Sequence, residues 1–224
     1  MAKVLGIIGG GQLGMMIAEA AQNLPDEISK IIVLDPTENC PAAQLGAQQI
    51  VADFKNKEAI VELSQKSDII TYEIESGDSD VLKSVENNAE INPSPETLKI
   101  IQDKFLQKTF LKENQIPVAD FIEINNIEDV KSGLKLFGFP ALLKARRDAY
   151  DGRGNFKINS EDEIQKAFDY FKGQKLLLEK FIPFKMEVSV IASRNTKGQI
   201  KTYPLVENIH EENILRETIA PARV

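Results

Sequence analysis

Residues 141–155 read ALLKARRDAYDGRGN, a short apolar run followed by a charged, glycine-rich loop. The run at 141–143 predicts a buried strand that carries Lys144 at its end. Glycines on both sides of Arg153 allow the backbone to fold over a ligand as a lid. A lysine about 4 Å from a phosphate contributes roughly 1 kcal/mol in bulk water and about 4 kcal/mol at an effective dielectric near 20. The pattern therefore indicates a phosphate site that depends on excluding water.

The chain has 224 residues, enough for one large domain or two smaller ones. Its 27 basic and 34 acidic residues give a net charge of −7. This balance argues against a nucleic-acid binder or an anionic-membrane binder, but it allows a small basic pocket for one phosphorylated metabolite. Arg146, Arg147 and Arg153 are candidates for that pocket.

Cys40 is the single cysteine, so an intrachain disulfide and a cysteine-based metal cluster are both excluded. The chain begins with Met1, Ala2 and Lys3 and then enters a predicted strand, without the apolar segment of a secretory leader. No apolar run approaches the ~18 residues needed to cross a bilayer. We therefore expect a cytoplasmic protein with no membrane partner.

Strands and helices alternate in the first part of the chain. Residues 3–8, 31–34 and 69–71 predict buried strands, and a helical pattern of apolar residues begins at Leu13. Such alternation is typical of an α/β domain with a parallel sheet. Ser94 is predicted to cap a helix that begins with Pro95.

The pattern changes near Pro117, and we place a domain boundary between residues 92 and 117. The predicted domains are 1–100 and 101–224, the second with a subdomain at about 115–182. Ser160 and Glu163 predict a capping box. Strands are expected at 118–124, 176–179, 186–192 and 201–206, and no predicted helix covers the last of them.

The first predicted strand leads into Gly9–Gly14, GGGQLG, which matches the G-x-G-x-x-G pattern of dinucleotide-binding turns. Asp35 ends the second strand, where such folds place an acid for the ribose. The amides of the turn and the helix N-terminus are suited to holding an anion. Three interpretations stay open: NAD or FAD, another phosphorylated ligand, and a purely structural turn.

Further candidates follow other strands. Glu73 and Glu75 stand two residues apart after a strand, which suits recognition of a hydroxyl or an amine; a solvated loop is the alternative. Residues 179–182 follow a run of three leucines, a pattern that suits a strand edge where backbone groups hydrogen-bond a purine and apolar side chains enclose it; ordinary surface charge after a buried strand is the alternative. Glu187 projects opposite an apolar face, where it could accept ribose hydroxyl groups or face solvent. His210 is the sole histidine, and it and Lys104 would each be read as a surface residue if taken alone.

Taken together, these residues resemble the ATP-grasp superfamily and, within it, the 5-(carboxyamino)imidazole ribonucleotide synthases of purine biosynthesis. The resemblance covers essentially the whole chain. It implies a Rossmann-like pre-ATP-grasp domain followed by an incomplete α+β ATP-grasp domain, with residues 115–182 as the lid subdomain. The motifs that carry it are GGGQLG at 9–14, SPETL at 94–98 with IQDK at 101–104, AYDGRGN at 149–155, PFKME at 183–187, and the segment 203–210.

The resemblance also implies roles for individual residues. Arg153 would stabilise the transferred phosphoryl group, with Tyr150 and Asp151 as further catalytic residues. The implied substrate-binding residues are Gly11, Gln12, Leu13, Glu73 and Glu75. The implied ATP-binding residues are Lys104, Lys144, Ala149, Tyr150, Asp151, Gly152, Arg153, Gly154, Asn155, Glu179, Lys180, Phe181, Ile182, Glu187 and His210.

The implied reaction is attack of bicarbonate on the ATP γ-phosphate to give carboxyphosphate, followed by capture of its carboxyl group by the amine of aminoimidazole ribonucleotide. Mg²⁺ would bridge ATP oxygens, and its carboxylate ligands belong to a C-terminal portion that this chain lacks. We therefore expect no metal ligand here, little activity from the chain alone, and a homodimer at full length. The alternatives are an NAD-dependent oxidoreductase, based on residues 9–14 and Asp35, and a non-catalytic nucleotide-binding module.

Overall fold

The computed structural model describes residues 1–147, 154–212 and 214–224. These residues form two compact units, Met1–Gln115 and Ile116–Val224. The helix at Lys104–Glu113 thus lies within the first unit. The predicted domains 1–100 and 101–224, with a subdomain at about 115–182, stay predictions.

The first unit contains a five-stranded parallel sheet in the order β3-β2-β1-β4-β5. This confirms the predicted parallel α/β class. The strands are β1 Lys3–Ile8, β2 Ile28–Asp35, β3 Gln48–Val51, β4 Ile69–Tyr72 and β5 Glu90–Ile91. The helices are α1 Gln12–Gln22, α2 Pro41–Gln44, α3 Lys57–Lys66, α4 Ser79–Ser84, α5 Pro95–Ile101 and α6 Lys104–Glu113.

Both faces of this sheet are buried. Ile7 and Ile8 are neighbours on β1, yet Ile7 packs in one apolar cluster with α1 and α2, and Ile8 packs in another with α3 and α4. Successive side chains of a strand point to opposite faces, so the continuous apolar sequence of β1 is what a doubly covered strand needs. The Ser94 side chain accepts a hydrogen bond from the Thr97 amide, which confirms the predicted cap of α5.

The second unit begins with a four-stranded antiparallel sheet in the order β6-β9-β7-β8. Gly133 brings α7 close to the sheet, since a Cβ atom there would lie 2.6 Å from side-chain atoms of Ile122 and Leu178. The elements are β6 Phe121–Ile124, α7 Ile127–Phe137, β7 Ala141–Ala145, β8 Asn155–Ile158, α8 Ile164–Tyr170 and β9 Leu176–Lys180. The two helices cover one face, on which Leu143 and Leu178 are fully buried.

The capping box predicted at Ser160 is wrong. Glu163 accepts a hydrogen bond from the Asn159 amide at 2.7 Å, and the Ser160 side chain caps no amide of the following turn. A complete capping box forms instead at the start of α7, where Asn126 and Asp129 each accept a hydrogen bond from the other's amide. Both residue pairs have the same spacing, and Asn126 and Ser160 have nearly the same backbone angles, so neither feature distinguishes the pair that forms the box.

Five short strands complete the second unit. They are β10 Glu187–Ser189, β11 Ala192–Arg194, β12 Ile200–Thr202, β13 Val206–Glu211 and β14 Ile214–Ile219. One antiparallel sheet has the order β10-β13-β14, and a separate hairpin pairs β11 with β12. The single strand predicted at 186–192 is therefore divided in two, and the one predicted at 201–206 is interrupted at residues 203–205. No helix in the part of the chain that the structure describes is long and apolar enough to cross a membrane.

The glycine turn leads to a stability prediction. A Cβ atom on Gly14 would lie 2.1 Å from the Gly9 carbonyl oxygen, a backbone atom that cannot move without distorting the turn. We expect Gly14→Ala to lower the free energy of unfolding by about 1–3 kcal/mol in urea titrations followed by circular dichroism.

Gly77→Ala is the matched control, because its Cβ atom would meet Leu98 at an ordinary 3.6 Å. We expect this variant to stay within about 0.5 kcal/mol of the parent. Equal stability of the two variants would show that the turn tolerates a side chain at position 14.

Candidate functional site

Lys144 lies on the face of the four-stranded sheet that α7 and α8 do not cover. Within β7 the fully buried positions alternate with Leu142 and Lys144, which are half-buried. Lys144 is paired directly with Asn155 of β8, and Glu179 of β9 is paired with Leu142. Directly paired residues share a face, so the Lys144, Asn155 and Glu179 side chains project to the same side.

An ion pair joins two of these residues. The Lys144 Nζ atom lies 3.0 Å from the Glu179 Oε2 atom, and the two side chains are only 19% and 11% exposed. A partly buried charge needs a counter-charge, because removing either ion from water alone is costly. The predicted phosphate lysine is therefore already balanced by a carboxylate within the protein.

A second ion pair stands beside the first. The Arg146 guanidinium contacts the Glu123 carboxylate, and the Arg146 side chain is only 8% exposed. The Arg146 amide also donates a hydrogen bond to the Lys175 carbonyl at 2.9 Å. Arg146 thus holds the end of β7 to its neighbours. Its charge is balanced by Glu123, which weakens the expectation that Arg146 contributes to an open basic pocket.

The segment 179–182 begins within β9 and continues past its end. Glu179 is buried, Lys180 and Ile182 are exposed, and the Lys180 amide donates to the Asp120 carbonyl at 2.9 Å. The Lys157 Nζ atom lies 4.3 Å from the centre of the Phe181 ring, a cation–π distance. A carboxylate and an aromatic ring thus belong to this segment, and its predicted role in binding a purine stays a prediction.

Glu187 and His210 lie at a cavity of about 640 Å³. The His210 Nε2 atom is 3.6 Å from the Glu187 Oε1 atom, although 23 residues separate them in the sequence. Asn155 also lines this cavity, and through its pairing with Lys144 it connects the end of β7 to the cavity wall. The lining residues are Asn155, Phe184, Lys185, Met186, Glu187, Glu207, Asn208, Ile209 and His210.

Several predicted site residues lie outside the described ranges or away from the cavity. Ala149, Tyr150, Asp151, Gly152 and Arg153 lie outside the described residues, so their predicted roles stay predictions. Gly154 is buried, and its carbonyl accepts a hydrogen bond from the Ala145 amide at 2.9 Å. Lys104 is the first residue of α6 in the first unit, and its predicted contact with ATP also stays a prediction.

The glycine turn of the first unit is occupied by the protein's own carboxylates. Asp35 Oδ2 accepts a hydrogen bond from the Gly10 amide at 2.8 Å, and Asp35 Oδ1 accepts one from the Thr37 amide at 2.8 Å. The Gly11 amide donates to the Glu73 side chain. Asp35 is only 6% exposed. An acid held in this way is not available to a ribose, which argues against the NAD interpretation.

Two further contacts fix this turn. Gly9 has a φ angle of 99°, in the left-handed region that favours glycine, and its amide donates to the Leu34 carbonyl at 2.9 Å. Cys40 is buried beneath the turn, and a Cβ atom on Gly10 would lie 2.3 Å from the Cys40 Sγ atom. The turn is thus packed from below as well as bonded to carboxylates.

The pKa of Glu73, which accepts a hydrogen bond from the Gly11 amide, is also perturbed. Burial raises the pKa of Glu73 above its ordinary value, and the charges of Asp35 and Glu75 raise it further, against a lowering by the Gly11 amide. Of the predicted substrate-binding residues, the structure brings Gly11 and Glu73 together directly. Gln12 and Leu13 are exposed at the start of α1, and Glu75 accepts a hydrogen bond from the Gln102 side chain through its backbone carbonyl.

Sequence reasoning missed Asn208 and Glu207. Asn208 stands directly opposite Glu187 in the β10–β13 pair. Glu207 accepts hydrogen bonds from Arg223 Nε at 2.7 Å and Nη2 at 2.6 Å, and these bonds lower the pKa of Glu207. No local sequence pattern predicts either contact. The Asn208 contact depends on strand pairing, and the Glu207 contact depends on a residue 16 positions away. Within the described ranges, no three His, Cys, Asp or Glu residues are placed to hold a metal ion.

Two family models match the chain. One describes a ribonucleotide synthetase preATP-grasp domain and matches residues 1–102, and the other describes an ATP-grasp domain and matches residues 109–224. The chain is 41% identical to a phosphoribosylaminoimidazole carboxylase of Candida albicans, covering 99% of this chain and 40% of that protein. It is 36% identical to an N5-carboxyaminoimidazole ribonucleotide synthase of Staphylococcus aureus, covering 98% of this chain and 58% of that protein.

Solved structures agree with these matches. The N5-carboxyaminoimidazole synthetase of Staphylococcus aureus complexed with ADP superposes with a TM-score of 0.94 at 36% identity, over 99% of this chain and 59% of the other. The synthase of Aspergillus clavatus in complex with ADP and 5-aminoimidazole ribonucleotide gives 0.90 at 36% identity, over 99% and 57%. The chain thus spans between two fifths and three fifths of the length of these relatives.

The raised pKa of Glu73 predicts a pH-dependent stability. The folded state resists ionisation of this carboxyl group, so the parent chain loses stability as the pH rises from the ordinary glutamate pKa through the raised value. Glu73→Gln removes the charge and keeps an acceptor for the Gly11 amide. We expect it to gain unfolding free energy relative to the parent between about pH 4 and pH 7, measured by urea titration at each pH.

Glu19→Gln is the control, because Glu19 is exposed on α1 in the same unit. We expect its stability difference from the parent to stay constant over this pH range. A constant difference for Glu73→Gln as well would mean that burial does not perturb Glu73.

Proposed function

Because the chain belongs to the ATP-grasp family, and within it to the N5-carboxyaminoimidazole ribonucleotide synthases, we propose that it supplies the ATP-binding and substrate-binding part of such an enzyme. The reaction is the ATP-dependent carboxylation of 5-aminoimidazole ribonucleotide by bicarbonate. A bicarbonate oxygen attacks the γ-phosphorus and ADP leaves, which gives carboxyphosphate. The substrate amine then attacks the carboxyl carbon, or carbon dioxide released from it, and phosphate leaves.

One observation carries the ATP-binding part of this proposal. Lys144, Glu179 and Asn155 share a sheet face, and Asn155 continues into the cavity that also holds Glu187 and His210. A cation, the end of β9 and a carboxylate therefore belong to one surface of the second unit. A nucleoside triphosphate needs partners for its phosphates, its ribose and its base, and this surface offers a candidate for each.

The described residues allow a role for each group. The Lys144 ammonium contacts phosphate oxygens, and its ion pair with Glu179 holds the ammonium group on the uncovered face of the sheet. The backbone of residues 179–182 lines the adenine, with Lys180, Phe181 and Ile182 at its edge. The Glu187 carboxylate accepts hydrogen bonds from ribose hydroxyl groups, and His210 lies beside it. Gly154 and Asn155 complete the phosphate end.

Aminoimidazole ribonucleotide is assigned to the first unit. Glu73 accepts a hydrogen bond from the Gly11 amide, just before Gln12 and Leu13 begin α1. Glu75 is close enough for its charge to raise the pKa of Glu73. A carboxylate with a raised pKa suits an amine, since it can accept a hydrogen bond from the amine or take up a proton. Tyr150, Asp151 and Arg153 are assigned to catalysis from the resemblance alone.

Magnesium is expected with ATP in this family. The described residues do not provide a group of three ligands for it, so we assign its carboxylates to polypeptide beyond these residues and derive no step from the metal. We further propose a cytoplasmic enzyme that forms a homodimer at full length. Its partners are the small molecules of the reaction, without a nucleic acid or a membrane.

Breaking the Lys144–Glu179 ion pair in two ways tests the ATP site. Lys144→Met removes the cation, whereas Glu179→Gln breaks the same ion pair and leaves the cation in place. We expect Lys144→Met to weaken ATP binding by at least about tenfold, the loss of one charge-assisted hydrogen bond. Glu179→Gln should retain phosphate binding, measured with inorganic triphosphate in the same calorimetric titrations.

Equal losses of triphosphate binding in both variants would assign the effect to a damaged sheet instead of to the lysine charge. Circular dichroism establishes that each variant folds. Titration with NADH separates the oxidoreductase alternative, because the proposal expects no binding of NADH to the glycine turn.

The chain alone should not complete the reaction. With ATP, bicarbonate and 5-aminoimidazole ribonucleotide, we expect the purified 224 residues to release no ADP above the uncatalysed rate in a coupled assay. Adding the C-terminal part of a full-length relative as a fused segment should restore turnover. Sustained ATP-dependent carboxylation by the chain alone would refute this expectation, and ATP binding without any restorable turnover would favour the non-catalytic module.

A further inference from the structure

We propose that Asn208 is a positioning residue, which holds Glu187 and His210 in the orientation that binds the ribose of the nucleotide. The inference deepens the proposed function and rests on it. Asn208 was not among the candidate residues from the sequence. We assign it this role because of its position in the β10-β13-β14 sheet.

Asn208 shares one sheet face with the groups it is proposed to position. In the antiparallel pairing it stands directly opposite Glu187 on one side and Thr218 on the other. His210 is two residues further along β13 and Ser189 two residues further along β10, so both project to the same face. The five side chains therefore form one polar surface, and three of them line the cavity: Glu187, Asn208 and His210.

The Asn208 amide connects three strands through its side chain. Its Nδ2 atom donates a hydrogen bond to the Ser189 Oγ atom on β10 at 2.9 Å. Its Oδ1 atom accepts one from the Thr218 Oγ1 atom on β14 at 3.3 Å. With both ends of the amide engaged, the side chain is fixed across the sheet at the level of Glu187.

The side-chain hydrogen bonds of Asn208 matter because few other contacts fix the position of Glu187. β10 has three residues, all of them exposed, and within the described residues it pairs with β13 alone. The β13–β14 register shifts between Ile209 and His210, where Arg216 is the extra residue on β14. A bulge interrupts the regular ladder at that point. The Asn208 hydrogen bonds therefore reinforce the three-residue β10–β13 pairing and connect it to the longer β13–β14 ladder.

The 3.6 Å approach of His210 to Glu187 depends on this arrangement. If β10 slides or twists against β13, the Glu187 carboxylate moves away from both His210 and the cavity. A ribose hydroxyl is a directional partner, and a misplacement of about 1 Å removes most of the benefit of a positioned group. Loss of Asn208 should therefore reduce the benefit that a nucleotide gains from its 2′-hydroxyl more than the benefit from its phosphates.

The test compares ATP with 2′-deoxy-ATP. For the whole 224-residue chain and each variant, calorimetry gives the ratio of the two dissociation constants. We expect Asn208→Ala to reduce the preference for ATP by about three- to tenfold, with the affinity for 2′-deoxy-ATP within about twofold of the parent. Ser189→Ala removes one of the two hydrogen bonds and should give a smaller reduction in the same direction.

Asn195→Ala is the matched control. Asn195 also bonds through its side chain, to the Lys197 and Gln199 amides, but it lies in the β11–β12 hairpin and does not line the cavity. We expect it to leave the ratio unchanged. An unchanged ratio for Asn208→Ala, including the case in which both nucleotides bind more weakly by the same factor, would overturn the positioning role.

Glu187→Gln separates this inference from the proposed function. If Glu187→Gln reduces the preference for ATP and Asn208→Ala does not, the inference fails and the ribose site stands. If Glu187→Gln leaves the preference unchanged, or the unmodified chain shows no preference for ATP, the proposed ribose site fails, and the role of Asn208 fails with it.

Discussion

The ion pair between Lys144 and Glu179 is the constraint on which the second unit depends. Alternate residues of β7 fill the core, and Lys144 lies between two of them. Its position in the strand therefore leaves the side chain largely shielded from water. Glu179 supplies the counter-charge from the neighbouring strand. Their close contact offsets part of the cost of desolvating the two ions. The sheet can then keep an apolar face against α7 and α8 and a charged face opposite.

This arrangement has a consequence for how an anion is recognised. Lys144 and Arg146 are paired with Glu179 and Glu123, so each of these two positive charges has a counter-charge before a ligand arrives. In the proposed function, a phosphate would share Lys144 with Glu179. Such a surface discriminates by geometry more than by overall attraction, which agrees with the net charge of −7 of the whole chain. A strongly positive pocket would instead collect anions of many kinds.

The sequence predicted the local features well. The parallel sheet, the Ser94 cap and the strand that carries Lys144 all follow from periodicity and capping chemistry, which act over a few residues. It predicted the glycine turn but not its occupants, because Asp35 reaches Gly10 over 25 residues of chain. It also missed Asn208, whose partners lie on two other strands. Contacts of this kind depend on strand pairing and have no short-range signal.

The packing beneath the glycine turn links two positions that are far apart in the sequence. A Cβ atom on Gly10 would lie 2.3 Å from the Cys40 Sγ atom and 2.9 Å from Val33. Alanine at position 10 therefore requires a smaller residue at position 40 together with a shift of Val33. Position 40 thus limits what position 10 can hold, and relatives with a larger residue at position 10 should have a smaller residue at position 40.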